Sequence, residues 1–464
     1  LNARHKKTLS FLPKHSTVSA ILFFKHILGS SNQSKYNTMK IRKILLVDLC
    51  LLGEKGGGHS EFYFMNILSI LSNHNDIVYA CCSNNKTLRE NIERENLKNC
   101  QVIDIDVTLS DKIIRRLLLL LDTFIPKIPG MTYLRFSSLI NLTIVKRLIA
   151  NLGEEIPVFF PHTDSMMPAV PTFISRFFLP KKWAGLHILP SYQLAITDGR
   201  EKSRKRFYAE KNFLLPSCQA ILVLHPLYQR FLAKRFKGLT SFYLPELVSI
   251  NPTVKNHNYI NTELLLYIKE NSKGRKIISI LGNLTPRKNL PLFLESVSKL
   301  SSEKYFVLVL GKIKIPQSIT LDPEMDRIED WMKMLNHNSY IDIDYYIKNE
   351  EEFSELIQLS DIVFCHYKSY PFSSSILTKT MAHHKPVIVD KGYLMEKIIN
   401  KYNWKIAVEG EPNAIAQAIE NLIDTDFQVK DSSYSSFIED HSLESFQSVI
   451  LQACKTLQDS TLNT

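Results

Sequence analysis

The chain is 464 residues long, 45% hydrophobic and 22% charged, with a formal net charge of +11. That length accommodates two domains of ordinary size, each with a core of its own. Six Lys and Arg and no acid fall in residues 1–38, which leaves +5 for the rest, too mild a surplus to argue for a nucleic-acid partner.

Seven cysteines (Cys50, Cys81, Cys82, Cys100, Cys218, Cys365 and Cys454) are scattered without CxxC spacing. They read as reduced core residues of a cytoplasmic protein. No apolar run approaches the length that spans a bilayer. Met39 directly precedes an apolar run, so residues 1–38 are expected to be upstream sequence or a disordered leader. A targeting peptide is the alternative, disfavoured by the short apolar run Ala20 to Phe24.

From Ile41 to Leu49 the chain reads as a strand buried on both faces. Gly53, Gly56, Gly57 and Gly58 follow, and His59, Ser60 and Glu61 lead into a helix with Phe64, Ile67, Leu68 and Leu71 on one face. Three glycines in a row let a backbone approach a ligand closely, although the loop does not fit the GxGxxG pattern. Strands are predicted at Ile77 to Cys82 and Val102 to Val107, with a helix from Thr87 to Asn96 between them.

The stretch Asp111 to Phe124 (DKIIRRLLLLLDTF) predicts a helix expected to pack in the core; contact with a membrane surface is the alternative. A further helix is predicted from Tyr133 to Leu152. The strand Pro157 to Phe160 runs into Pro161-His162-Thr163-Asp164, a polar cluster past a strand end, where ligands bind in open α/β sheets. His162 and Asp164 are therefore candidate acid–base residues, with a local Asx-type turn as the structural alternative. Strands at Trp183 to Leu186, Ala220 to Leu224 and Ser241 to Val248 complete this half, with a charged helix from Glu201 to Lys211 and another from Leu227 to Phe236. A linker is placed near 248–262.

A second α/β series begins at Lys276 to Leu281. The loop Gly282-Asn283-Leu284-Thr285-Pro286-Arg287-Lys288-Asn289 then sets two adjacent cations before a helix, Leu290 to Leu300, opposite in sign to a phosphate. After the strand Tyr305 to Leu310, a strand at Tyr340 to Ile343 and the acidic helix Glu350 to Leu359 comes one complete unit. It comprises strand Ile362 to Cys365, a polar loop, helix Ser374 to His383 and strand Pro386 to Val389. The helix is entered through Ser373, Ser374 and Ser375, which either cap it or present a phosphate-binding helix start. Amphipathic helices at Glu411 to Leu422 and Ser442 to Leu457 end the chain.

Taken together, ISILGNLTPRKNLPLFLESV and SSSILTKTMAHHKPVIVDKGYLMEKI, preceded by GGGHSEF, resemble the GT-B glycosyltransferases of the retaining, glycogen-synthase-like clan, across roughly residues 40–425. The resemblance implies an α/β fold of two Rossmann-like domains facing each other across a cleft. The expected domains are 39–250 on the acceptor side, 251–430 for the nucleotide-sugar, and a helical segment at 431–464. It implies transfer of a hexose-like sugar from a nucleotide-sugar to a glycan or lipid-linked acceptor, with retention and without a metal or other cofactor, in polysaccharide biosynthesis. The expected location is cytoplasmic, with peripheral contact at the inner membrane face, and no nucleic-acid partner. On this resemblance Gly57, Gly58, His59, Gly282, Asn283, Arg287, Lys288, Ser373, Ser374, Ser375, Lys379 and Glu396 bind the donor, Lys288 holds its diphosphate, and His162 faces its sugar. The clan's two glutamates seven residues apart are replaced here by Pro371 and Lys379, and the arginine of its Gly-Arg pair by Asn283, with Arg287 nearby. A non-catalytic GT-B binding protein and a nucleotide-sugar epimerase are the rival readings.

Overall fold

The computed structural model describes residues 41–48, 59–81, 86–105, 107–124, 136–190, 209–248, 262–313, 328–335, 339–347, 350–404, 406–425, 427 and 429–459. The leader, the glycine loop with Gly57 and Gly58, most of the charged 201–211 segment and the 249–261 linker lie outside these residues.

Two parallel sheets carry the fold. The first holds β1 (Ile41–Val47), β2 (Asn75–Cys81), β3 (Cys100–Ile103), β4 (Val158–Phe160), β5 (Trp183–His187), β6 (Cys218–Val223) and β7 (Ser241–Tyr243), in the order β3-β2-β1-β4-β5-β6-β7. The second holds β8 (Lys276–Leu281), β9 (Tyr305–Leu310), β10 (Ser339–Asp342), β11 (Ile362–Cys365), β12 (Val387–Asp390) and β13 (Ala407–Val408), ordered β10-β9-β8-β11-β12-β13. All the strand pairs are parallel, so helices must cover both faces.

The apolar runs record that burial. In β1, Ile44 and Leu46 enter one core cluster while Leu45 and Val47 enter the cluster on the opposite face. In β8, Ile277 and Leu281 face one side, and Ile278 and Ile280 the other. The strand order reverses between β1 and β4 and again between β8 and β11. Crossovers leave such neighbours on opposite faces, opening a crevice at their carboxyl ends. In the second sheet, the Gly282 and Ser373 loops both start there.

Several elements differ from the sequence reading, each for a local reason. Strand β7 stops at Tyr243 rather than Val248 because Pro245 supplies no N–H to continue the ladder. Helices Thr262–Ser272 and Ile328–Met334 carried too weak a periodic pattern to be predicted. The Leu109–Phe124 helix forms as predicted but does not pack its leucines in the core, a correction of the preferred reading. Ile113, Leu117, Leu120 and Phe124 are each more than half exposed. Its inward positions are Asp111, Leu118 and Asp122, and these hold the helix by ion pair and hydrogen bond more than by apolar contact. At the carboxyl end the chain crosses back. The Leu443–Asp459 helix buries Phe446, Ile450, Ala453, Cys454 and Leu457 against the first domain, while Phe437 of the preceding helix belongs to the second.

Candidate functional site

Strand β8 ends at Gly282, whose φ of +85° turns the chain sharply toward β9. A Cβ at this position would stand 3.1 Å from Lys288 Nζ, so glycine leaves the room that the lysine occupies. Pro286–Lys288 forms a single 3-10 turn, and Asn289, at φ +58°, reorients the backbone before the Leu290–Val297 helix. This folding-back buries Lys288 at 3% exposure. Its ammonium donates to Leu281 O and lies 5.8 Å from the Tyr367 ring centroid. Burial is the main cause that pulls its pKa down to about 7, and the neighbouring Arg287 adds to the effect. Arg287 rests its guanidinium 4.7 Å from the centroid of Tyr370.

Opposite this loop, the Ser375–Ala382 helix begins at the end of the β11 loop. Ser374 occupies the N-cap position in an extended conformation, yet its side chain makes no capping hydrogen bond. Its hydroxyl pairs with Tyr367 Oη at 3.1 Å instead. The Ser373 hydroxyl donates to Glu246 Oε2 at 3.0 Å, and the Thr378 hydroxyl donates to the same oxygen at 2.5 Å. The serines therefore do not cap the helix; they and Thr378 form a hydroxyl lining at its start, where free N–H groups carry partial positive charge.

These loops enclose a cavity of about 330 Å³ between the domains. Gly282, Asn283, Arg287, Lys288, Ser373, Ser374, Ser375 and Lys379 all line it, so eight of the residues read from sequence converge. The structure adds Tyr63, Glu246, Lys312, Tyr345, Tyr367 and Thr378. Four cations, Arg287, Lys288, Lys312 and Lys379, face one acid, Glu246, among the described lining residues. Glu246 reaches in from the first domain, and the His441 ring holds its carbonyl oxygen at 2.7 Å. No spacing in the sequence marks it, because the contact joins positions 127 and 132 residues apart. The tyrosines were equally hidden; only their density around 345–370 was a clue.

The remaining predicted residues stand elsewhere. His59 opens the helix His59–His74 at the edge of the undescribed glycine loop. Glu396 accepts the Gly392 N–H at 2.7 Å and steadies the turn after β12, outside the cavity lining. His162 and Asp164 sit past the end of β4, also outside that lining, with Nε2 3.6 Å from Oδ2. The Asp164 carboxylate accepts the N–H groups of Ile188 and Leu189 at 2.8 and 2.9 Å and lies 3.4 Å from His187 Nδ1. Burial disfavours its charge, but His187 outweighs that and holds the carboxyl far below its usual range. His187 in turn donates to Glu210 at 3.0 Å; the two carboxylates overcome its burial and keep it protonated. Asp164 thus ties the β4 and β5 loops together, and His162 is the partly exposed end of this cluster.

Residues 266–439 match the family described as "Glycosyl transferases group 1". Among solved structures, the chain is similar to an α,α-trehalose-phosphate synthase (UDP-forming) from Burkholderia vietnamiensis, at 10% identity and TM-score 0.63, over 92% of this chain and 100% of that one. It is also similar to a glycosyltransferase from Rickettsia africae ESF-5, at 15% identity and TM-score 0.58, over 92% and 100% of the two chains. Anabaena Alr3699/HepE, solved in complex with UDP-glucose, aligns at 12% identity and TM-score 0.58, over 90% of this chain and 99% of that one. No curated protein sequence matches the chain. At these identities the structures establish the shared GT-B architecture, two Rossmann-like domains across a cleft.

Proposed function

We propose that this chain, whose residues 266–439 match the glycosyl transferases group 1 family, is a glycosyltransferase that binds a nucleoside-diphosphate sugar in the interdomain cavity and moves the sugar, with retention, to a glycan or lipid-linked acceptor. The observation that supports this is the convergence of Arg287, Lys288, Lys312 and Lys379 with the hydroxyl-lined start of the Ser375–Ala382 helix. A cavity of about 330 Å³ suits a nucleoside diphosphate, at the lower end of the roughly 300–1,000 Å³ of small-molecule sites.

In this reading the cations and helix amides neutralise the diphosphate and stabilise the charge that grows on it as the glycosidic bond breaks. They take the place a metal ion would otherwise fill. Lys288 is the central group, since burial, with Arg287 beside it, pulls the pKa of its ammonium down to about 7 in the free protein. The rings of Tyr345 and Tyr370 offer faces for a base or a sugar. Glu246 takes over the hydroxyl-reading work of the absent glutamate pair.

Thermal-shift titration with UDP, GDP, ADP, dTDP and CMP, on wild type and Lys288→Ala, tests the reading. Ligand at a hundred times its dissociation constant stabilises by about 2.7 kcal/mol, which raises the melting temperature by several degrees. A shift with one diphosphate that disappears in Lys288→Ala is expected. No shift with any nucleotide would leave the non-catalytic GT-B reading in its place.

A further inference from the structure

The Leu109–Phe124 helix is mounted inside out. Thr108 and Asp111 form a reciprocal capping pair: the Thr108 N–H donates to Asp111 Oδ2 at 2.9 Å, and the Asp111 N–H donates to Thr108 Oγ1 at 3.2 Å. Asp111 also takes both guanidinium nitrogens of Arg147, at 2.6 and 3.2 Å. Three turns on, Asp122 accepts the N–H groups of Phe136 and Ser137 at 2.6 and 3.1 Å. Leu118 packs between them against the core. Asp111, Leu118 and Asp122 share one helix face, at spacings of seven and four residues, and that face is turned to the protein.

The opposite face carries Leu109, Ile113, Leu117, Leu120 and Phe124, at spacings of four, four, three and four. They are 51–74% exposed. At about 100° per residue this stripe is centred opposite Asp111. Arg116 and Lys112 lie along one flank of the stripe, and Arg115 lies further round, next to Asp122; all three are exposed. Both acids of the helix are therefore tied down on the inner face, while Lys112 and Arg116 are displayed beside the apolar one. Five large apolar side chains thus face outward in register.

We propose that this helix docks the protein on an anionic lipid bilayer, lying in the plane of the interface with its apolar stripe inserted and Lys112 and Arg116 at the headgroups. Charge decides between occupants. A second copy of the chain would set the same basic flank against itself, whereas an anionic surface complements it. The helix is far shorter in apolar length than a span, and no helix among the described residues is long and apolar enough to cross a membrane. This inference does not depend on the identity of the donor nucleotide.

The test is flotation of the full chain with phosphatidylcholine vesicles and with phosphatidylcholine–phosphatidylglycerol vesicles. Wild type is expected to float with the anionic vesicles, and added salt to weaken that binding. Leu117→Ser/Leu120→Ser should abolish it, and Lys112→Glu/Arg116→Glu should lower it at least roughly tenfold. Both pairs are exposed, so the melting temperature should hold and guard against misfolding. Wild type left unbound by anionic vesicles overturns the proposal. So does a concentration-dependent dimer, seen by sedimentation, that Leu117→Ser/Leu120→Ser dissolves, since the stripe would then be covered by a second copy.

Discussion

Lys288 is a buried cation whose proton is set by what enters the cavity. In the free protein burial lowers its pKa to about 7. An anionic diphosphate favours the charged form, so binding near and above neutrality takes up a proton. Diphosphate affinity is expected to be full below pH 7 and to weaken as pH rises, up to roughly tenfold per unit. Calorimetry in buffers of different ionisation enthalpy measures the uptake, and Lys288→Met should abolish it. The free protein shows the opposite slope from this group. Between about 7 and the ordinary 10.5 the unfolded chain holds a proton that the native lysine has released, so its contribution to stability rises with pH. At Glu246, Glu246→Gln keeps the shape but removes the charge that two hydroxyls contact. Donor affinity should fall roughly tenfold or more if the carboxylate reads donor hydroxyls; an unchanged affinity would assign Glu246 to tying the domains alone. Lys288 was legible because a cation beside a strand-to-helix loop has a short-range signature. Glu246 was not, since its partners are brought in by the fold.

Among the elements, the Leu109–Phe124 helix and the Ser375–Ala382 helix depart most from a pattern-based reading. For the first, periodicity located the helix correctly, but periodicity has no sign: it separates two faces without saying which is turned inward. Asp111 decides. The Arg147 hydrogen bond is the largest influence on its carboxyl and brings it down to about 2, with burial acting the other way. A depressed acid contributes stability that is present above the ordinary 3.8 and is lost as pH falls through about 2. Amide exchange in this helix should therefore accelerate on acidification across that window, and Arg147→Met should weaken the dependence, leaving the part held by Thr108. For the second helix, three serines at its start announced a cap. The fold spends Ser373 and Ser374 on Glu246 and Tyr367 instead.

In the whole molecule, the two sheets are joined twice, once by the chain leading from β7 and again by the returning Leu443–Asp459 helix. Phe446, fully buried against the first core and stacked 6.3 Å from Tyr63, is the anchor of that return. Phe446→Ala should cost about 3–5 kcal/mol of stability, read by chemical denaturation. Because Tyr63 also lines the cavity, nucleotide binding should weaken in the same variant. By itself the sequence determined the two α/β series, the strands at their centres, the cationic loop past β8 and the serine-lined loop past β11. Runs of buried apolar residues, glycine at a strand end and charge beside a helix start are local properties, and local properties survive in one dimension. Only the tertiary structure decided that Arg287, Lys288, Lys312 and Lys379 share a cavity with Glu246, that His162 and Asp164 stand outside its lining, and that a leucine-rich face looks outward. Each of those depends on which distant segments meet, and that is fixed by sheet order and by where buried charges find partners.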